Sequence, residues 1–579
     1  MRRPAAVVSG AAAGDGRRAR RAAWLVGGLA FVASLSNLRP MGTGDTTPAR
    51  LAPFSLLREG NLDLDEFAWL RAPELARPYF LQRDRAGRWR SKYPVATPLV
   101  ATPLAAPFAC WARARGLDDG DARFRLLTAV VERVAAALIG ALSVALVMLA
   151  ASAIAPPGWA AAAALFYAFG TPTWVYSQAL WQHGLAEVGI AGAALCLLRP
   201  ATRRRSLAAG AWLALALAAR PTTIVLAPLV ALAVWRQRRD GFWAFAAAYA
   251  SGAALQAIYN LTVLSRSTGG YSTRAFGPPN LDALLGVLVS PSRGLLWYCP
   301  LALLALGALA RGTRPPLLRI LALALPAYAA FFACARIWWG GFSYGPRFFT
   351  DVMPLVVLCA LPVARRWWRH RGGRAVLVAG AAWCVVVQAV GVYCDDQDWN
   401  TFPVAVDRQT ERLWAWSDPQ ILRAVRSGWH GWDFAPLLWQ LATDPRPAPL
   451  VPLDRLALAG TIEAVTPPPW RCQAGRNCRV EVRVSNRSAA STWPAYTDHG
   501  VGEVGIGAFW RMGDVVEAGV GGFIPMRRQL GAGDAARVPL VIDAPARAGS
   551  YQLELVVVQN LGATGGSGGA STRVPVLVE

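Results

Sequence analysis

The stretch 199–239, RPATRRRSLAAGAWLALALAARPTTIVLAPLVALAVWRQRR, decides the fold. Arg199, Arg203, Arg204 and Arg205 stand at one end, and Arg236, Arg238 and Arg239 at the other. The run between them, 206–235, is apolar except around Arg220-Pro221. It is too long for a single spanning helix of about 20 residues. Arginine-dense turns collect on the cytoplasmic side of membrane proteins. Clusters at both ends therefore demand an even number of crossings. The run is read as a hairpin, 206–219 and 221–235, with Arg220-Pro221 at its outer tip.

The same logic extends along the chain. Of the 579 residues, 54% are hydrophobic and 16% charged, and the mean hydropathy is +0.32. Soluble domains are about a quarter charged, so an ordinary soluble enzyme is excluded. Lys+Arg is 59 against Asp+Glu 35, a net charge of +24. In a soluble protein that would point to a nucleic-acid partner. Here the arginines recur on turns, as at Arg311, Arg314 and Arg319 and again at Arg365, Arg366, Arg369, Arg371 and Arg374, so no nucleic acid is expected. Residues 1–21 read as a cytoplasmic basic leader, and the apolar run 22–37 lacks a cleavage pattern, so it is taken as the first membrane helix. Further spans are expected at 124–153, 158–176, 184–198, 206–219, 221–235, 241–263, 294–310, 316–336, 350–364 and 374–394. The expectation is a polytopic α-helical protein of the plasma (inner) membrane, with about eleven crossings, a cytoplasmic N-terminus and everything after Tyr393 outside.

Three exterior parts follow. The first loop, 38–123, is far longer than a connector needs, and its apolar stretch 95–112 is read as a helix lying in the interface. Residues 395–455 hold Trp399, Trp414, Trp416, Trp429, Trp432 and Trp439, a density suited to a connector lying against the membrane surface. Residues 456–579 alternate with period two, as in Val480, Val482, Val484 and Tyr551, Leu553, Leu555, Val557, and predict an extracytoplasmic β-sandwich. Cys472 and Cys478 predict a disulfide in an oxidising compartment. Cys196, Cys299, Cys334, Cys359 and Cys384 read as packing residues. No metal-ligand spacing occurs, and the four histidines, His183, His370, His430 and His499, make a histidine-built metal site improbable.

Polar, turn-rich clusters all fall on the predicted exterior face, whereas the inner loops are short and basic. They are Gly44-Asp45-Thr46, Asp63-Leu64-Asp65-Glu66, Lys92-Tyr93-Pro94, Trp181-Gln182-His183, Arg220-Pro221, Gly269-Gly270-Tyr271, Ser290 to Gly294 and Gly345-Pro346-Arg347. Lys92 is the sole lysine, so the other 58 basic residues are arginine.

A first helix, a long exterior loop with an acidic residue at its start, and a lysine-x-proline before an interfacial helix resemble the GT-C superfamily over about 22–394. These are integral-membrane glycosyltransferases using polyprenyl-phosphate sugars, among them protein O-mannosyltransferases and the lipid A aminoarabinose transferase. The resemblance implies that Asp45 sits at the reacting centre and that Lys92 binds lipid phosphate. Many relatives carry Asp-Glu where this chain has Asp45-Thr46, so no second acid follows here. The implied function is transfer of a sugar from a polyprenyl-phosphate donor to a hydroxyl of a cell-wall glycan, glycolipid or protein at the extracytoplasmic face.

The chemistry fits those roles. Such a transfer needs a base for the acceptor proton and cations for the leaving phosphate. Asp45 is the candidate base, acting from the face opposite the phosphate with net inversion. Lys92 offers a point charge and Arg347 a bidentate fork, with Arg293 and Arg220 as second-rank phosphate cations. His183, Tyr93, Trp181 and Tyr271 are candidates for contact with the donor or acceptor sugar. Asp63, Asp65 and Glu66 are either a solvated turn or a contact for acceptor or cation. No cofactor is required by any motif, and a divalent cation stays open. Each residue also has a plainer reading: Asp45 as a helix cap or a partner of Arg50, Lys92 as a snorkelling side chain, the arginines as interfacial anchors. Two other functions fit the architecture: a lipid-linked oligosaccharide polymerase or ligase, and a lipid-sugar flippase or transporter. A flippase should carry ionisable residues deep in its spans, where Glu187 is the main candidate.

Overall fold

The computed structural model describes residues 8–71, 78–266, 268–310, 312–395, 398–401, 404–497, 502–561 and 567–579; His499 and the first seven residues of the leader lie outside them. The chain is mostly helical, with a C-terminal sheet region. Among the described residues, three helices are long and apolar enough to cross a membrane: Ala122–Ala151, Arg347–Trp367 and Arg371–Tyr393. Each other predicted span has a helical counterpart, but several are short or broken. The hairpin run is helix Arg203–Ala219, then a 3-10 turn Pro221–Leu226, then helix Ala227–Gln237. Arg220 between them is extended, at φ −147° and ψ 105°, the conformation a following proline favours. Proline also divides 158–176 into Pro157–Gly170 and Thr173–Tyr176, and 294–310 into Leu295–Tyr298 and a 3-10 helix Pro300–Leu309. Eleven uninterrupted spans are therefore not what these helices amount to by length and composition.

The chain forms two compact units that do not follow the order read from sequence. The first comprises 1–37, 80–103 and 132–431 and holds most of the helices. In it, Gly189 and Gly192 let helix Gln182–Leu198 approach Arg203–Ala219: a Cβ at Gly189 would lie 2.5 Å from the Trp212 carbonyl oxygen. Small residues at such crossings are typical of membrane helices. Residues 395–431, expected in the exterior connector, belong to this unit. Trp399, expected at the membrane surface, is instead only 1% exposed, and its indole N–H donates to the Asp418 carbonyl oxygen at 2.8 Å. Trp416, Trp429, Trp432 and Trp439 are exposed.

The second unit comprises 38–79, 104–131 and 432–579. Parts of the first loop thus group with the C-terminal region, contrary to the sequence boundaries. The reason is long-range pairing: Leu126 shares an apolar cluster with Phe434, Leu437 and Ala495, and Ala122 N–H donates to the Ala448 carbonyl. Its strands, numbered after the hairpin β1 (Leu81–Arg83) and β2 (Trp89–Ser91) of the first unit, are β3 (Gly460–Ala464), β4 (Trp470–Cys472), β5 (Asn477–Asn486), β6 (Val504–Met512), β7 (Val515–Pro525), β8 (Ala535–Asp543), β9 (Gly549–Gln559) and β10 (Ser567–Val578). They form one sheet of order β4-β10-β9-β6-β7 and another of order β3-β5-β8. Alternate residues of both, including Val482, Val484, Leu540, Ile506, Leu553 and Leu555, enter one core.

Cys472 and Cys478 are disulfide-bonded, with Cα atoms 5.2 Å apart. A loop this short contributes about 2 kcal/mol in the chain-entropy account. Full-length Cys472→Ser/Cys478→Ser should lose roughly that amount in denaturant unfolding followed at β4 and β5; an unchanged midpoint would show that the bond stabilises nothing.

Glu554 on β9 accepts from Arg511 at 2.6 Å and from Arg573 at 3.3 Å. The Arg511 hydrogen bond, working against burial, holds its carboxyl below the usual glutamate range. A group depressed on folding stabilises above its unfolded pKa, about 4.3, and loses that contribution as pH falls through the folded value. Hydrogen exchange along β9, corrected for its intrinsic pH dependence, should therefore accelerate below about pH 4. Glu554→Gln should flatten that acid response, and an identical profile in the variant would remove Glu554 as its source.

Candidate functional site

Lys92 is delivered by the β1–β2 hairpin of the helical unit. Leu81 pairs with Ser91 and Arg83 with Trp89, and Lys92 N–H donates to the Phe80 carbonyl at 2.9 Å. The turn is held by Asp84, which accepts from the Ala86 and Arg88 backbones and from Arg90 Nε at 2.7 Å. Burial alone would raise the Asp84 carboxyl, but these donors, Arg90 first, hold it below the usual aspartate value. The hairpin is thus locked at its tip and presents Lys92 at its exit, just before helix Ala96–Ala114. The lysine is half-buried and packs on Gly270, where any Cβ would strike its backbone and Cγ. Among the described residues, no hydrogen bond or ion pair engages its Nζ.

A continuous set of contacts leads from Lys92 to the other candidates of this unit. Tyr93 and Tyr271 meet edge to face, with ring centroids 6.1 Å apart. The Tyr271 hydroxyl donates to Gln182 Oε1 at 2.8 Å. The next residue, His183, is fully buried at the start of helix Gln182–Leu198. Its Nδ1 lies 2.7 Å from Asp351 Oδ1, and its Nε2 accepts from Arg347 Nε at 3.2 Å. Asp351 Oδ2 accepts from Arg220 Nε at 2.6 Å. Arg347 also donates to the Gly340 carbonyl at 3.1 Å, and its guanidinium lies 4.3 Å from the Trp181 ring centroid. Arg347 and Asp351 both lie in the 3-10 turn Arg347–Val352, and both meet His183.

The fold thus brings together Lys92, Tyr93, Trp181, His183, Arg220, Tyr271 and Arg347, though not all in their expected roles. Trp181, expected as a sugar wall, is buried and carries the Arg347 guanidinium on its ring. Arg220 has its Nε committed to a buried carboxylate. Arg293 does not join the set as a phosphate ligand. Its side chain, 2% exposed, donates to the carbonyls of Trp339, Ser292 and Gly341 and to the side chains of Gln420 and Asn400. A guanidinium has five N–H donors, so none is left for a ligand.

The remaining acids lie in the second unit. Asp45 precedes helix Thr47–Glu59 and accepts from the Tyr79 hydroxyl at 3.0 Å. Thr46, not Asp45, is the N-cap residue, and its hydroxyl bonds the Thr43 backbone rather than the helix N–H groups. The Asp63 backbone carbonyl accepts from Ser55 at 2.6 Å, and Arg71 bonds the Asp65 carbonyl at 2.9 Å, so both acids sit in a self-bonded turn. Burial pushes the Glu66 carboxyl above the usual glutamate value.

Sequence reasoning missed Asp351 and Gln182. A carboxylate at membrane depth is costly and therefore informative, and Asp351, at the start of the predicted span 350–364, carried that signal. Glu187 is fully buried as well, bonded to the Thr173 hydroxyl at 2.5 Å. Among the described residues, no cluster of three His, Cys, Asp or Glu side chains could hold a metal ion. No protein-family model and no curated protein matches the chain.

Proposed function

We propose that this protein is a GT-C-type glycosyltransferase of the plasma membrane, with about eleven crossings, that moves a sugar from a polyprenyl-phosphate donor to an acceptor hydroxyl at the extracytoplasmic face. The observation that supports it most is Lys92. It is the one lysine of an arginine-rich chain, half-buried, without an anionic partner among the described residues, and linked by packing and hydrogen bonds to Tyr271, Gln182, His183 and Arg347. A cation so placed calls for an anion, and a lipid phosphate is the anion that a membrane enzyme of this resemblance uses.

In the transfer, the acceptor hydroxyl attacks the sugar's anomeric carbon and its proton passes to a carboxylate, the role that the resemblance gives to Asp45. The bond from that carbon to the phosphate oxygen breaks with inversion. The released polyprenyl phosphate gains negative charge at the leaving oxygen, which Lys92 and Arg347 stabilise. Of the phosphate cations read from sequence, these two carry the role. Arg220 acts through Asp351, and Arg293 is structural.

Wild-type proteoliposomes given a pool of labelled polyprenyl-phosphate sugars should move label from the lipid to a hydroxyl product. Label that crosses the bilayer still attached to lipid would replace this reading with a flippase. Label accepted only from lipid pyrophosphates would replace it with a polymerase or ligase.

A further inference from the structure

The contacts of His183 assign its tautomer twice over. A carboxylate only accepts hydrogen bonds, and the other oxygen of Asp351 accepts from the Arg220 guanidinium, 2.6 Å away. Nδ1 of His183, 2.7 Å from Asp351 Oδ1, must therefore carry a hydrogen. Arginine only donates, so Nε2, 3.2 Å from Arg347 Nε, must present a lone pair. Both contacts demand a neutral imidazole protonated at Nδ1. In the other tautomer, and in the imidazolium, an N–H at Nε2 would face the N–H of Arg347.

We propose that Asp351 is a positioning residue for the guanidinium of Arg347, acting through the tautomer of His183. The chain of command runs from Arg220 to Asp351 to His183 to Arg347. Arg220 orients the carboxylate, the carboxylate holds the hydrogen on Nδ1, and the lone pair this leaves on Nε2 fixes Arg347 Nε. The Gly340 carbonyl holds one terminal nitrogen and the Trp181 ring supports the plane. The guanidinium is therefore oriented before a ligand arrives, which is how preorganised electrostatic sites work. That Arg347 meets a lipid-linked phosphate rests on the function proposed above; the tautomer and the orientation do not.

Asparagine at 351 keeps the shape but replaces one acceptor oxygen by an NH2 donor. It cannot serve two donors: the charged guanidinium of Arg220 holds the remaining carbonyl oxygen, so the NH2 faces His183, which loses its acceptor and flips. The test uses full-length protein with 15N-labelled histidine in liposomes, read by solid-state NMR. With only four histidines in the chain, the buried signal is assigned by its loss in His183→Gln. The wild type should show Nδ1 protonated and Nε2 bare. Asp351→Asn should change that signal toward Nε2–H and raise the donor KM by about tenfold or more, with a smaller change in kcat. Wild-type His183 protonated at Nε2 overturns the proposal, as does a folded Asp351→Asn protein with unchanged tautomer or unchanged donor KM. A wild type with the expected tautomer but no transfer of label would retire the proposed function while leaving the positioning of Arg347 in place.

Discussion

Lys92→Ala lowers kcat/KM for a polyprenyl-phosphate sugar by roughly a hundredfold to a thousandfold, and Lys92→Arg restores only part of it. Truncating one member of a desolvated charge pair costs about 2–5 kcal/mol, and each 1.4 kcal/mol is about a factor of ten. On the proposed function, the phosphate is the partner stranded by the alanine. Arginine keeps the charge but brings a planar fork in place of a compact ammonium. It must also fit where the lysine stem lies against Gly270, a position too close for a Cβ. The loss should fall mainly on the donor, measurable as a raised donor KM with the acceptor saturating. Equal activity in wild type and Lys92→Ala would leave the sole lysine as an interfacial anchor.

Asp45→Asn lowers kcat by about 10²–10⁴-fold, the usual contribution of a general base, with little change in either KM. Asparagine is nearly isosteric, and its carbonyl oxygen can still accept from the Tyr79 hydroxyl that bonds Asp45 at 3.0 Å. The substitution therefore removes proton acceptance and charge while leaving the local hydrogen bond. Tyr79→Phe does the reverse and should have the smaller effect, because it frees an orientation but keeps the base. Single-turnover transfer with bound donor separates these cases, since it reads chemistry without product release. Full single-turnover activity in Asp45→Asn would take the base assignment away even if the protein transfers sugar.

The sequence was most informative where local chemistry decides local structure. Arg220-Pro221 breaks the run 206–235 because proline forces the residue before it out of the helix, and Arg220 is extended there. The alternation of Val480, Val482 and Val484 and of Leu553, Leu555 and Val557 marks strands because side chains leave a strand on alternate faces, and these residues lie on β5 and β9. The short cysteine loop was readable for the same reason.

What was not readable depends on partners far away in the chain. Arg293 looks like a free exterior cation until Asn400 and Gln420, more than a hundred residues later, take up its donors. Asp351 reads as the polar start of an apolar span until His183 and Arg220 converge on it from two other helical segments. The grouping of 104–131 with the C-terminal region follows from Leu126 meeting Phe434 and Leu437, which no local pattern encodes. Trp399 carries the same composition signal as its exposed neighbours, yet it is buried beneath Arg293. Periodicity reports which face is apolar, but not what will cover it.

The single lysine makes it directly measurable whether the ammonium of Lys92 holds the phosphate of a lipid-linked sugar, as proposed. Full-length protein grown with 15Nζ-lysine carries one labelled side-chain ammonium. Reconstituted in phosphorus-free glycolipid bilayers with polyprenyl phosphate as the only phosphorus, that signal should be dephased by 31P dipolar recoupling, and the dephasing should saturate with added lipid. A 15Nζ signal with no 31P dephasing at a polyprenyl-phosphate concentration that fully inhibits transfer from the sugar-bearing donor would contradict this role of Lys92.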